Sequence, residues 1–343
     1  MKADFRHCLL TAFERGIVAP PATGERWAMF NGQVLPEPAL SEAGLAPAAF
    51  RDALFCEQGF RPLHLDLVQA GFRAEPRLAA DAVFDGAILF AARARAANEL
   101  SFRRAWQQVR PGGRIILCGD RKAGADGMRK WLSAGFGAID SFSKHHAICL
   151  EIARRDCDLP ASLQAAGEDP GRAGLFSADG ADPGSQLLAA QFKGRVRGHV
   201  ADFGAGWGYL AQRALSACDQ IKTIDLYEAD FAALEAARTF LDESGAVAVN
   251  YHWIDLTREF RRKPYDTVIM NPPFHLGHVG DRRARPETGQ AFIRLAASTL
   301  VSGGRLLMVA NRQLPYEGVL DTAFRRVEKL AEQDGFKVYE AVR

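Results

Sequence analysis

The segment that most restricts what this chain can fold into is a short apolar run, His199 to Phe203, that breaks into Gly204-Ala205-Gly206-Trp207-Gly208 and resumes as a helical pattern to Ala217. Three glycines in five residues permit a tight strand-to-helix turn and leave bare backbone against which a ligand can lie. The pattern then alternates. Strands are expected over Ile221–Tyr227, Val247–Ile254, Thr267–Met270 and Arg305–Ala310, with helices over Phe231–Asp242 and Glu287–Leu300 and Ser302-Gly303-Gly304 before the last strand. Alternating strands and helices imply βαβ units, hence an α/β fold with a mostly parallel, doubly wound sheet. At the end, Phe324–Leu330 and Phe336–Val342 flank Asp334-Gly335, a pair suited to a tight hairpin, so an antiparallel edge is expected there.

The first half shows parts of the same grammar. Leu63–Val68 and Ala87–Phe90 read as strands and Ala94–Val109 as a helix, and Pro111-Gly112-Gly113 leads into a strand over Arg114–Cys118. The order helix, Gly-Gly, strand resembles Ser302-Gly303-Gly304-Arg305, which suggests a duplicated fold. No glycine-rich turn follows an early strand in residues 1–110, so this copy is expected to be a degenerate α/β domain without a cofactor. The polar stretch Arg154–Arg172 reads as a linker. The expected domains are therefore 1–155, a linker over 156–173, and 174–343.

At 343 residues and 48% hydrophobic, the chain can bury two cores, and its net charge of +2 gives no global basic field. Basic clusters do occur at Arg258–Lys263, at Arg282, Arg283 and Arg285, and at Arg93, Arg95, Arg103, Arg104 and Arg110. The six cysteines are scattered without a C-x-x-C pair, so buried free thiols in a reducing compartment are expected. No run approaches the ~20 apolar residues of a membrane span, and the N-terminus lacks a signal-peptide pattern. A cytoplasmic protein is the expectation.

Asp202, Gly204, Ala205, Gly206 and Gly208 form the expected cofactor turn. Here the third glycine arrives one residue earlier than in the dinucleotide fingerprint G-x-G-x-x-G, which fits a methyltransferase turn better than a nicotinamide site. Glu228 closes the next strand, where a carboxylate can accept both ribose hydroxyls of an adenosine. Asp225, inside that strand, is its competitor. Asp255 ends the third strand, where it can accept from an adenine amine. Acids at successive strand ends share the edge on which open α/β sheets bind ligands.

The fourth strand runs into Asn271-Pro272-Pro273-Phe274. An exocyclic or amide amine is a poor nucleophile because its lone pair is delocalised. The Asn271 side-chain oxygen and the Pro272 carbonyl can accept its two N–H protons and aim the lone pair, so the gain is positional. Pro272 and Pro273 stiffen the loop, and Phe274 can stack on a planar group. His275 and His278 form an H-x-x-H pair without a third ligand, so no metal is expected.

With these residues in view, residues 174–343 resemble the ribosomal RNA small-subunit methyltransferase C family of guanine-N2 methyltransferases and its large-subunit relative G. The resemblance extends to Gly174-Leu175-Phe176-Ser177, to Asp182-Pro183-Gly184-Ser185-Gln186-Leu187-Leu188, to His275, and to Ala310-Asn311 with Leu314-Pro315-Tyr316. It implies a class I S-adenosylmethionine-dependent methyltransferase acting on 16S rRNA or a ribosomal subunit, as a monomer. Asn271, Pro272, Pro273 and Phe274 would hold the guanine. Asp202, Gly204, Ala205, Gly206, Gly208, Glu228, Asp255 and Ser185 would hold the cofactor. The N-terminal half would contribute RNA binding and stability, although it matches the family only loosely. Two alternatives remain: a protein glutamine N-methyltransferase acting on release factors, whose loop usually carries tyrosine at the fourth position, and a non-catalytic RNA-binding or assembly module.

Overall fold

A computed structural model describes residues 3–164, 181–241, 247–273 and 286–343. They form two compact α/β units, one holding the residues up to Gln164 and the other those from Ala181 onward. In the first unit the strands are β1 (Trp27–Phe30), β2 (Leu54–Glu57), β3 (Arg73–Glu75), β4 (Phe84–Phe90), β5 (Val109–Asp120), β6 (Phe142–Lys144) and β7 (Ala147–Ala153). In the second they are β8 (Gly198–Phe203), β9 (Ile221–Glu228), β10 (Ala248–Trp253), β11 (Tyr265–Met270), β12 (Leu300–Asn311), β13 (Arg326–Gln333) and β14 (Phe336–Val342).

Each unit is one seven-stranded sheet, and the two orders correspond strand for strand: β3-β2-β1-β4-β5-β7-β6 and β10-β9-β8-β11-β12-β14-β13. In each sheet the first five strands are parallel and the last two antiparallel. The central parallel strands β1, β4, β8 and β11 are buried along nearly their whole length because both faces are covered. Trp27 and Met29 of β1 enter one core, while Ala28 and Phe30 enter the other. In the second unit, Val200, Ile269 and Leu307 face one core, whereas Ala201, Val268 and Leu306 face the other. A one-residue slip would exchange these faces, so burial fixes the register.

The duplication is clearest at β5 and β12. Both begin with a Gly-Gly bend in which the first glycine takes positive φ, Gly112 at 84° and Gly303 at 75°. In both, that glycine's N–H donates to a carbonyl just past the antiparallel strand, Arg154 O at 2.8 Å and Arg343 O at 3.0 Å.

One strand expectation fails, and the expectation of buried cysteines holds for five of the six. Leu63–Val68 lies within the helix Arg61–Gln69 rather than in a strand. Its apolar alternation is misleading: the fully buried positions are His64 and Leu67, one helical step apart, and Pro62 sits in the first turn, where its missing N–H costs nothing. Among the cysteines, Cys157 is exposed while the other five are buried, and all six are free. The start of the expected linker is also packed: Leu163 is fully buried in the first unit's core, with Leu159 against it. Gly174–Ser177 and the arginines at 282, 283 and 285 lie outside the described residues. Among the described residues, no helix is long and apolar enough to cross a membrane.

Candidate active site

Three neighbouring strands bring the expected residues to one edge. Phe203 of β8 pairs with Tyr227 of β9 on one side and with Met270 of β11 on the other. The next residues, Gly204, Glu228 and Asn271, therefore leave the sheet side by side at its carboxyl edge, where such sheets bind ligands.

The glycine turn is open toward that edge. Gly204, Gly206 and Gly208 all have positive φ, at 74°, 55° and 88°. A Cβ at Gly206 would meet nothing within 4 Å, so the backbone there borders open space. A Cβ at Gly204 would lie 3.9 Å from Pro273 and 3.8 Å from Phe292, which places the turn directly against the proline loop. Gly208 serves packing: it caps the helix Tyr209–Ala217 and fits under Ala237 and Leu241. Ala205 is buried, and its N–H donates to Tyr227 O.

The acids divide by role. Glu228 accepts from the N–H groups of Gly206, Ala229 and Asp230, each at 2.8 Å, tying the turn to the end of β9. Burial nonetheless raises its pKa, with Asp230 adding to the rise and the three N–H groups opposing it. Asp225, its competitor, is fully buried and bound by Asn250, Lys263 and Tyr265. Burial alone would raise its pKa, but those partners hold it below the ordinary carboxylate range. Asp225 therefore braces the sheet, and Glu228 faces the site. Asp255 accepts from the Thr257 N–H and hydroxyl and closes the turn after β10, so it is a turn acid whatever else it holds.

Asp202 differs from the others. It is fully buried, and neither carboxylate oxygen has a hydrogen-bond partner. Burial pushes its pKa up to about 8, the Glu228 charge adds to this, and the nearby Ala211 backbone N–H, which falls outside hydrogen-bond geometry, opposes it only in part. A buried acid that the fold leaves without a hydrogen-bond partner, beside a bare glycine turn, keeps its acceptor capacity unused.

On the reacting side, Pro272 is buried and Pro273 half-buried. The Asn271 side-chain amide donates twice, to the Asp182 carboxylate at 3.0 Å and the Ser185 hydroxyl at 2.9 Å. Both donors are thereby used, leaving its Oδ1 as an acceptor. Ser185 thus contacts the reacting residue rather than the glycine turn. Phe274, His275 and His278 lie outside the described residues. Asp182 escaped the sequence reading as a site residue, because its link to Asn271 spans 89 positions.

The family model of the methyltransferase small domain matches residues 170–340. Residues 170–340 belong to that family. The expected cofactor, S-adenosylmethionine, follows from the same membership. Two curated relatives are named ribosomal RNA small subunit methyltransferase C. The protein of Shewanella pealeana is 28% identical over 283 residues, covering 78% of this chain and 80% of the relative. That of Klebsiella pneumoniae is 38% identical over 169 residues, covering 49% and 47%. Matches like the second span about half the length of the relative. Among solved structures, a T. thermophilus 16S rRNA N2 methyltransferase in complex with AdoMet and guanosine superposes with a TM-score of 0.72 at 23% identity. It covers 97% of this chain and 91% of its own, a likeness that carries the two-unit fold.

The second unit of this methyltransferase fits its cofactor on three observations: the open backbone at Gly206, the acid at the end of β9, and the unpartnered Asp202. Among the described residues, the first unit keeps none of them at the aligned positions, and Glu57, which ends β2, is taken up by Arg104. Phe30 pairs with Glu57 as Phe203 pairs with Tyr227, so Gln58 stands where Glu228 stands. Gln58 accepts from the N–H two residues on, as Glu228 does, but its amide donates inward to Gly32 O at 2.8 Å. Counting from the Gly-Gly bends, Leu117 corresponds to Met308. Their partners Leu89 and Met270 then align, which puts Phe90 at the place of Asn271. Phe90 is buried against Phe5. The first unit keeps the frame and has lost both the acid and the amide.

Proposed function

We propose that the protein transfers a methyl group from S-adenosylmethionine to the exocyclic N2 amine of a guanine in small-subunit ribosomal RNA. The observation that carries this is the Asn271 amide, which is anchored through its nitrogen so that its oxygen is left to accept. The names of the curated relatives, and the guanosine in the T. thermophilus complex, support the base and the RNA. A cytoplasmic site of action and an rRNA or ribosomal-subunit partner accompany that reading.

The cofactor when bound supplies an electrophilic methyl on a sulfonium, which departs as a neutral thioether. The chain's residues then supply position. Asn271 Oδ1 and the Pro272 carbonyl each accept one N–H of the amine. This turns its lone pair out of conjugation and toward the methyl group. Because the amine, held by these two acceptors, could shed its proton to solvent after transfer, the chain need supply no strong base. Glu228 is placed for the ribose hydroxyls. Asp202 is placed for the ammonium of the methionyl part, where a cation would restore its ionised state. Phe274 is assigned to stack on the base.

Radiolabelled S-adenosylmethionine offered with naked 16S rRNA, small subunits, large subunits and release factors tests the proposal. Label is expected in N2-methylguanosine of small-subunit RNA. Label in a release-factor glutamine, or in no acceptor, overturns it.

A further inference from the structure

We infer that Asp182, with Ser185, is a positioning residue: it fixes the orientation of the Asn271 amide and so makes the reacting site accept amines and reject carbonyls. This rests on the proposed function of the same site.

The two ends of an asparagine amide are similar in shape but opposite in hydrogen bonding, and nothing within Asn271 decides which end faces the substrate. Asp182 decides it. An ionised carboxylate only accepts, so the end of Asn271 within 3.0 Å of Asp182 must be the NH2. The second amide hydrogen is taken by Ser185 Oγ at 2.9 Å, which removes the remaining rotational freedom. Asp182 is itself held, since the same Oδ2 accepts from the Ser185 N–H at 2.9 Å and caps the helix Pro183–Ala189. Gly184 lets the cap lie close, because a Cβ there would meet the Phe336 ring at 2.7 Å and Asp182 Oδ2 at 3.0 Å. The chain is therefore Phe336 to the cap, the cap to Asn271 Nδ2, and Nδ2 to the exposed Oδ1. A flipped amide would present NH2 to the substrate amine, two donors facing each other, and would instead welcome a ring carbonyl.

The test pairs a spectroscopic readout with a kinetic one, using the full chain. In protein labelled with 15N-asparagine, the Asn271 side-chain N–H signals are expected to be shifted downfield and slow to exchange. In Asp182→Asn both features should be lost while the affinity for S-adenosylmethionine stays within about threefold. On small-subunit RNA, Asp182→Asn should lower kcat by roughly 10- to 100-fold with KM little changed, the scale of a misplaced reacting group. Asn271→Asp should lose activity more severely, because two carboxylates then face each other. The exchanged pair Asp182→Asn with Asn271→Asp restores one donor and one acceptor and should recover at least tenfold over Asn271→Asp alone. Folding defects alone would not yield that recovery. Unchanged Asn271 signals in Asp182→Asn, or no recovery in the exchanged pair, overturns the inference. A wild-type protein that methylates no RNA sinks the proposed function instead, and the amide signals still decide the role of Asp182.

Discussion

Asp202 gives the sharpest quantitative prediction, because its burial and its lack of partners pull stability and cofactor binding in opposite directions. Its folded pKa of about 8 lies above the ordinary value of 3.8, so the folded chain binds more protons than the unfolded chain between those limits. The stability tied to this group is therefore fully present below pH 3.8, declines as pH rises, and levels off above about 8. At ~1.4 kcal/mol per pH unit the whole window corresponds to about 6 kcal/mol. Local relaxation and water entry reduce what is realised to roughly 2–4 kcal/mol. Asp202→Asn removes the charge while keeping the shape. Without cofactor, it should be more stable than wild type by that amount at pH 8, and the gap should close toward pH 4. Urea unfolding read by hydrogen exchange in the β8 and β11 peptides reports the catalytic unit by itself. Calorimetry supplies the other half. Wild-type affinity for S-adenosylmethionine should rise with pH up to about 8, with proton release on binding, and Asp202→Asn should lose both affinity and the pH dependence. A variant destabilised equally at every pH would show that Asp202 is satisfied in the fold, and would refute the reading of it as a socket.

Three further outcomes follow from the same edge. Asn271→Ala removes an acceptor used in the transition state, so kcat should fall roughly 100-fold or more while calorimetric cofactor affinity stays within about threefold. Glu228→Gln copies the first unit's Gln58 and keeps the neighbouring N–H contact. Losing a charged acceptor for the ribose should weaken cofactor binding by about 10- to 100-fold in the same assay, with little change in kcat at saturation. Gly206→Ala forces a side chain into φ 55° and into open space, so thermal unfolding should show a loss of roughly 1 kcal/mol with weaker cofactor binding besides.

The sheet was legible wherever burial alone decides the pattern. Val268 to Met270 and Leu306 to Met308 are covered on both faces, so their unbroken apolar runs have one reading. Asp334 and Gly335 both adopt positive φ in the β13–β14 hairpin, as that dipeptide implies. Leu63–Val68 was misread because a half-buried helix can carry a chance alternation, and only the burial of His64 and Leu67 reveals the period. The turn Asp202–Gly208 was visible as a string, yet the isolation of Asp202 was not, since an unpartnered carboxylate is defined by what fails to reach it. Asp182 was hidden for the opposite reason. Locally it is an ordinary helix cap, and its second bond, to Asn271, exists only once the helix Pro183–Ala189 has packed against β12, the neighbour of β11.

The two sheets then separate what holds the frame from what performs the chemistry. Strand order, the Gly-Gly bends and the antiparallel closure are common to both units, so they answer to packing and register. The differences lie at strand ends. Gln58 replaces Glu228, Phe90 replaces Asn271, and Asn31, whose φ of 52° imitates Gly204, closes its turn by donating to Phe90 O at 2.9 Å. Gln58 and Asn31 turn their amides inward onto backbone carbonyls, and Phe90 fills its place with a buried ring. Restoring only an acid at Gln58 would therefore bury an unpaired charge rather than recreate a site, because Gly32, with Cys56, Met29 and Leu67 at 3.2–3.3 Å from its missing Cβ, leaves no room for a ligand. The active edge needs open backbone, unsatisfied acceptors and an anchored amide together, and only the second unit retains all three.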